Sequence, residues 1–197
     1  MVECNDVSFS YPADSSVGGE YNEKKRDGAL RHISCRIEDG SFVLLCGESG
    51  CGKTTLTRLF NGLIPHYYEG NFTGTVCLEG KDTRKLSLYD ISEKVGSVFQ
   101  NPRSQFFNVD TTSELAFGPE NHGLPEDAVR KRVKEVSRRL RLSELLDRSI
   151  FSLSGGEKQK IACGSASAIE PDLFVLDEPS SNLDAFAIED LRKLLAI

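Results

Sequence analysis

No part of this 197-residue chain approaches the roughly eighteen consecutive apolar residues that a membrane-crossing helix requires. The polar opening Met1-Val2-Glu3-Cys4-Asn5-Asp6 also lacks the charged and apolar regions of a secretory leader. The chain is therefore expected in the cytoplasm, with any membrane contact peripheral. An excess of positive charge is missing as well. Lysine and arginine number 24 against 30 acidic residues, a net charge of −6, whereas a nucleic-acid surface calls for clustered cations. Any polyanion it holds must sit in a local pocket. The six cysteines contain no C-x-x-C pair, and the three histidines belong to no ligand-spaced motif, so neither a zinc site nor a disulfide framework is expected.

What is present suits one sizeable α/β domain, or at most two small ones. Alternating or continuous apolar runs predict strands over residues 2–11, 33–37, 42–46, 76–78, 95–99 and 173–176. The run Phe42-Val43-Leu44-Leu45-Cys46 is apolar throughout, as a strand covered on both faces should be. Residues 13–28, rich in Ser, Gly, Glu and Lys, read as a polar loop. Helices are expected over 54–61, over 154–168 and from Asp184 onward. Between them the period turns helical from about Thr111. Val129, Val133, Val136 and Leu140 recur on one face, with Arg130, Lys131, Arg132, Lys134, Arg138 and Arg139 on the others. Such a basic run marks a solvated face more often than a docking surface.

Two motifs carry chemistry. Gly47-Glu48-Ser49-Gly50-Cys51-Gly52-Lys53-Thr54 directly follows the apolar run 42–46 and fits the strand-loop-helix cradle G-x-x-x-x-G-K-[ST]. Its glycines let backbone amides approach phosphate oxygens, and the helix opening at Lys53 adds its positive dipole end. Lys53 supplies a point charge for β- and γ-phosphates, Thr54 a hydroxyl for Mg²⁺, and Thr55 extends the cradle. Cys51 lies where a thiol can acquire a lowered pKa, although a filler at a variable loop position is the plainer reading.

The second motif is Leu153-Ser154-Gly155-Gly156-Glu157-Lys158-Gln159, a small-residue turn at an expected helix start. Ser154 and the bare amides of Gly155 and Gly156 make another anion-facing surface, although alone they are only a helix cap. Downstream, Leu173-Phe174-Val175-Leu176-Asp177-Glu178 is an apolar strand ending in two carboxylates, where open α/β sheets place their ligands. Asp177 would enter the Mg²⁺ shell and Glu178 would orient or deprotonate an attacking water.

With Gln100 and Ser181-Asn182-Leu183-Asp184, these motifs stand in the order of an ABC-type ATPase, which the chain resembles over nearly its whole length. The resemblance implies a P-loop NTPase core of the ABC type, with an N-terminal antiparallel β part and a helical subdomain inserted at about 102–165. It implies ATP and Mg²⁺ as ligands and a sandwich dimer in which one subunit's phosphate loop is closed over by the other's Ser154-Gly155-Gly156 turn. Ser154 and Gly156 would then meet the γ-phosphate in trans, Gln100 would link the Mg²⁺ site to the helical subdomain, Tyr11 would stack on adenine, and Asp184 would touch the partner's site. Each site would need two chains, so ATP binding would supply an association free energy that hydrolysis removes.

The stretch Phe99-Gln100-Asn101-Pro102-Arg103-Ser104-Gln105-Phe106-Phe107, the stretch Glu114-Leu115-Ala116-Phe117-Gly118-Pro119-Glu120-Asn121 and the segment Asn61-Gly62-Leu63-Ile64-Pro65-His66 resemble the ATPase subunits of energy-coupling factor importers of cobalt, nickel and vitamins. That branch implies a second ATPase subunit, a transmembrane coupling protein, a substrate-capturing membrane protein, and a peripheral place on the cytoplasmic face of the membrane. A coupling contact beside Gln105, Phe106 and Phe107 and core packing of the two phenylalanines are equally open readings. Two departures stand out. The loop 13–28 is long, which weakens the placement of Tyr11. The family's histidine-bearing strand is also expected beyond Ile197, so the chain is read as a fragment or truncated copy, with nucleotide binding more firmly expected than turnover. The alternatives are the ATPase of another ABC importer or a non-hydrolysing nucleotide-binding module. A chromosome-maintenance ATPase is disfavoured because no heptads separate Gln100 from Leu153, and a translation-factor ATPase because the chain has no internal repeat.

Overall fold

The computed structural model describes residues 1–12, 29–180 and 183–195, so the expectations for the 13–28 loop and for Ser181 and Asn182 lie outside the described residues. The contacts gather into two compact units, Met1–Ser92 and Glu93–Ile197.

The first unit contains β1 (Val2–Ser10), β2 (Leu30–Ile37), α1 (Lys53–Phe60), the single helical turn α2 (Leu63–His66), β3 (Asn71–Leu78), the two-residue β4 (Lys81–Asp82) and the short α3 (Leu88–Ser92). The four strands form an antiparallel sheet in the order β2-β1-β3-β4. Val2, Cys4, Val7 and Phe9 of β1 are buried, and the shift in their alternation between Cys4 and Val7 coincides with breaks in register against both neighbours. Leu30 of β2, Val76 and Leu78 of β3, Leu59 and Phe60 of α1, Ile64 and Ile91 are buried in the same unit.

One expected strand is absent. Residues 42–46 join neither sheet, and Phe42, Val43, Leu44 and Leu45 are exposed, Phe42 at 81%. Apolar composition states what a segment would gain by burial, but a strand also needs a hydrogen-bonded neighbour, and none pairs with this run among the described residues.

The second unit contains β5 (Val95–Val98), α4 (Thr111–Asn121), α5 (Glu126–Arg139), α6 (Gly155–Ala168), β6 (Leu173–Leu176) and α7 (Ala185–Leu195). β5 and β6 pair in parallel, Val95 opposite Leu173 through Val98 opposite Leu176. The helical period of α5 is realised as read: Val129, Val133, Val136 and Leu140 are buried in one cluster with Leu115, Leu142, Leu153, Ile161, Ala162 and Cys163. Its basic face is exposed apart from Arg132, which is half-buried, pairs with Glu170 at 2.8 Å and donates to the Ala168 carbonyl. No helix among the described residues is long and apolar enough to cross a membrane.

Candidate nucleotide site

In the first unit the cradle opens α1. Gly50 and Gly52 have φ of +81° and +104°, and Gly52 caps the helix in the left-handed conformation that a side chain would resist. Gly52 also lies against the start of β2, since a Cβ there would come within 2.5 Å of the Ala29 carbonyl and 3.0 Å of a Leu30 methyl. The glycine is therefore required by φ and by close approach together. The Cys51 amide donates back to the Glu48 carbonyl at 3.3 Å, which closes the loop. The Lys53 ammonium donates to the carbonyls of Gly47 and Glu48, both at 3.0 Å, so the cation lies over the loop's own concavity. A tight glycine loop, a helix start and a cation folded over it fit a triphosphate, with phosphate oxygens able to replace the two carbonyls as acceptors. Thr54 and Thr55 lie in the first turn of α1, and Ser49 and Cys51 are exposed at the loop.

Tyr11 stands beside this helix. Its hydroxyl lies 3.3 Å from the Thr55 hydroxyl and accepts from Arg58 at 2.9 Å, and its ring meets Phe9 edge-on at 4.9 Å. Arg58 in turn covers the Tyr68 ring at 4.1 Å. Nothing in the sequence pointed to Arg58 or Tyr68, because a cation and an aromatic next to a binding motif have no diagnostic spacing of their own.

The second unit carries the remaining candidates. Asp177 and Glu178 follow β6 directly, and the Asp177 amide extends the parallel ladder by donating to the Val98 carbonyl at 2.9 Å. Glu178 has a φ of +45°, uncommon for a residue with a side chain. Gln100, two residues past β5, donates through Nε2 to its carboxylate at 2.9 Å. The ends of the two paired strands thus bring Gln100 and Glu178 together, with Asp177 adjacent. Among the described residues no cluster of three His, Cys, Asp or Glu side chains is disposed as a metal cage. A Mg²⁺ held by few protein ligands and by phosphate oxygens needs no such cage.

Ser154 caps α6 through a reciprocal box. Its hydroxyl accepts from the Glu157 amide at 3.3 Å, and the Glu157 carboxylate accepts from the Ser154 amide at 2.7 Å. These hydrogen bonds, with Arg148 at 3.0 Å, hold the Glu157 carboxyl below the usual range. Leu153 is buried and anchors the turn, whereas Ser154 and Gly155 are exposed and Gly156 is half-exposed. The buried Lys158 donates to the Leu153 carbonyl from within the same turn. The turn's small residues are thus presented outward on a rigid base.

Two residues take structural roles that the sequence reading did not assign to them. Gln105 spans the segment after β5, accepting from the Phe99 amide at 3.2 Å and donating to the Ser97 carbonyl at 3.0 Å. Glu114, buried in α4, accepts from the amides of Phe107 and Asn108 and from the Asn108 side chain. Phe106 packs against the core of this unit. Phe107 is 75% exposed and stacks on Phe117 at 4.7 Å, with exposed Val109 nearby in sequence.

The chain is similar to known proteins over nearly its whole length. The ABC transporter family model matches residues 30–181. A relative from Treponema denticola named "Putative ABC transporter ATP-binding protein" is 49% identical over 195 residues, covering 99% of this chain and 38% of the relative. One of the same description from Pyrococcus horikoshii is 39% identical over the full chain and 66% of its own length. The chain thus spans well under half of the first of these relatives. The solved structure of cbiO1 from Clostridium perfringens, described as part of the ABC transporter complex cbiONQ, superposes with a TM-score of 0.79 at 28% identity, covering 99% of this chain and 72% of that one. The cassette MJ0796, solved as a dimer in a post-hydrolysis state with ADP and phosphate, shares the fold at a TM-score of 0.78 and 23% identity. With a phosphate loop, an exposed Ser-Gly-Gly helix start and a paired-acid strand end in family order, this chain belongs to the ABC transporter family.

Proposed function

We propose that the chain binds and hydrolyses ATP to drive import of a small micronutrient, a metal ion or a vitamin, through a transporter of the energy-coupling factor type. The observation that carries the nucleotide reading is the outward presentation of Ser154 and Gly155 on the capped start of α6, which leaves them free to meet a triphosphate held by a second subunit. On this reading residues 47–55 hold the triphosphate, and Lys53 balances charge on its outer phosphates. Thr54, Gln100 and Asp177 would hold Mg²⁺, which supplies charge neutralisation when bound. Glu178 orients the attacking water and takes its proton. Its hydrogen bond from Gln100 sets the carboxylate's direction and ties it to the segment that leads to Phe107. ATP and water give ADP and phosphate, and the two subunits part. Tyr11 is assigned to the adenine, and residues 102–165 to the inserted helical subdomain.

The importer branch is supported by the likeness to cbiO1 and by exposed Phe107, which stacks on half-buried Phe117 and offers a surface suited to an apolar partner helix of the coupling protein. The protein would then sit on the cytoplasmic face of the membrane with a second ATPase subunit, the coupling protein and a substrate-capturing protein. Mg-ATP binding and turnover measured on wild type, Lys53→Ala and Glu178→Gln test the nucleotide reading. Lys53→Ala should abolish binding, while Glu178→Gln should retain it and accumulate an ATP-bound dimer. Undiminished binding by Lys53→Ala would refute the phosphate-loop assignment.

A further inference from the structure

Cys4 and Cys35 stand directly opposite each other in the β1–β2 ladder. Residues so paired project from the same face with Cα atoms about 4.5–5.5 Å apart, inside the roughly 4.4–6.8 Å that a disulfide spans. Burial first, and then the neighbouring Cys35 side chain, raise the pKa of the Cys4 thiol. Cys4 is buried at 1% exposure, whereas Cys35 on the edge strand is half-exposed. The other thiols are placed differently. Cys77 is in register with Glu3, which puts it on the opposite face of the sheet, Cys46 and Cys51 lie in the exposed segment and phosphate loop, and Cys163 is buried in the second unit.

From this juxtaposition we infer that Cys4 and Cys35 form a redox-active dithiol that closes to a cross-strand disulfide when it meets a small-molecule disulfide. The reaction has two exchanges. The Cys35 sulfur, as thiolate, attacks one sulfur of the oxidant R–S–S–R, forms a mixed disulfide and expels one RS⁻. The Cys4 thiol then gives up its proton, attacks the Cys35 sulfur and expels the second RS⁻. The dithiol has lost two electrons and two protons, and the oxidant has become two RSH. The order follows from exposure, since only Cys35 is open to an incoming reagent. Burial pushes the Cys4 thiol up to about 12, which slows the second exchange and makes the mixed disulfide a transient that can be trapped.

The consequence reaches the phosphate loop through β2. Leu30, at the head of that strand, packs under Gly52, so a covalent tie between β2 and β1 fixes the backing on which the loop rests. The fully reduced chain, incubated natively with oxidised glutathione, quenched with N-ethylmaleimide and digested, provides the test by peptide mass. The expected product is a linked pair of peptides carrying Cys4 and Cys35, lighter by two hydrogen atoms and separated by dithiothreitol. Cys35→Ser, a small change on the half-exposed edge strand, should eliminate the link and leave Cys4 unmodified until the protein is denatured. The inference is overturned if Cys35 stops at the glutathione adduct during prolonged incubation, or if it couples to Cys46, Cys51 or Cys77 in place of Cys4.

Discussion

Removing the Glu114 carboxylate should loosen the segment that joins Gln100 to the second unit's helices. The side chain is 1% exposed, and a single oxygen, Oε2, accepts from the Phe107 amide at 3.0 Å, the Asn108 amide at 2.9 Å and the Asn108 side chain at 3.2 Å. Hydrogen bonds to a charged group contribute about 1.5–3 kcal/mol each, and a buried donor left without a partner costs about 1–3 kcal/mol. Two backbone amides lose their acceptor in Glu114→Ala. Part of that loss returns because Asn108 is only half-buried and water can reach it, and because a buried charge no longer has to be desolvated. The net loss should be about 2–4 kcal/mol, against about 1 kcal/mol for Glu114→Gln, which keeps a neutral acceptor of the same length. With a urea slope of about 2 kcal/mol per molar, the alanine variant should shift the unfolding midpoint by roughly 1–2 M, read by far-ultraviolet circular dichroism. Glu120→Ala, an exposed acid on the same helix, serves as the control. A midpoint for Glu114→Ala equal to that of the control would show that the carboxylate does not hold this segment.

Two further substitutions probe the same unit. Glu157 titrates below the ordinary carboxylate value of 4.5 because the Ser154 amide and hydroxyl, then Arg148, favour its charged form. Its contribution is therefore complete above that value and fades as pH falls through the lower folded one, so Glu157→Gln should cost about 1 kcal/mol near neutrality and progressively less below pH 4.5 in urea titrations; a loss independent of pH would contradict the capping-box account. Gly164→Ala places a methyl group 2.6 Å from a Leu142 methyl and 2.8 Å from one of Leu115, so overpacking of about 1–3 kcal/mol should outweigh the roughly 1 kcal/mol gained in helix propensity; a raised melting temperature would reveal unfilled space between α4 and α6.

What was legible in the sequence divides along a physical line. The phosphate loop, the Ser-Gly-Gly helix start and the β6 boundaries, Leu173–Leu176, are written in contiguous residues, because loop conformation and helix capping are decided within a few positions of the chain. The α5 stripe was legible for the same reason, since helical period is a local property. Residues 42–46 share the composition of β6 yet remain outside both sheets, because a strand exists only with its neighbour and apolar side chains carry no record of which neighbour that is. Glu114 shows the complementary failure. In sequence it stands only as one residue of the stretch 114–121 that carries the resemblance, and only the return of residues 107–108 over α4 turns it into a buried anchor. The pairing of Cys4 with Cys35 belongs to the same class, for it depends on a register between strands that are distant in sequence. Motifs therefore locate chemistry where the reacting groups are sequence neighbours, whereas the groups that hold such motifs in place are chosen by tertiary contact and leave no local trace.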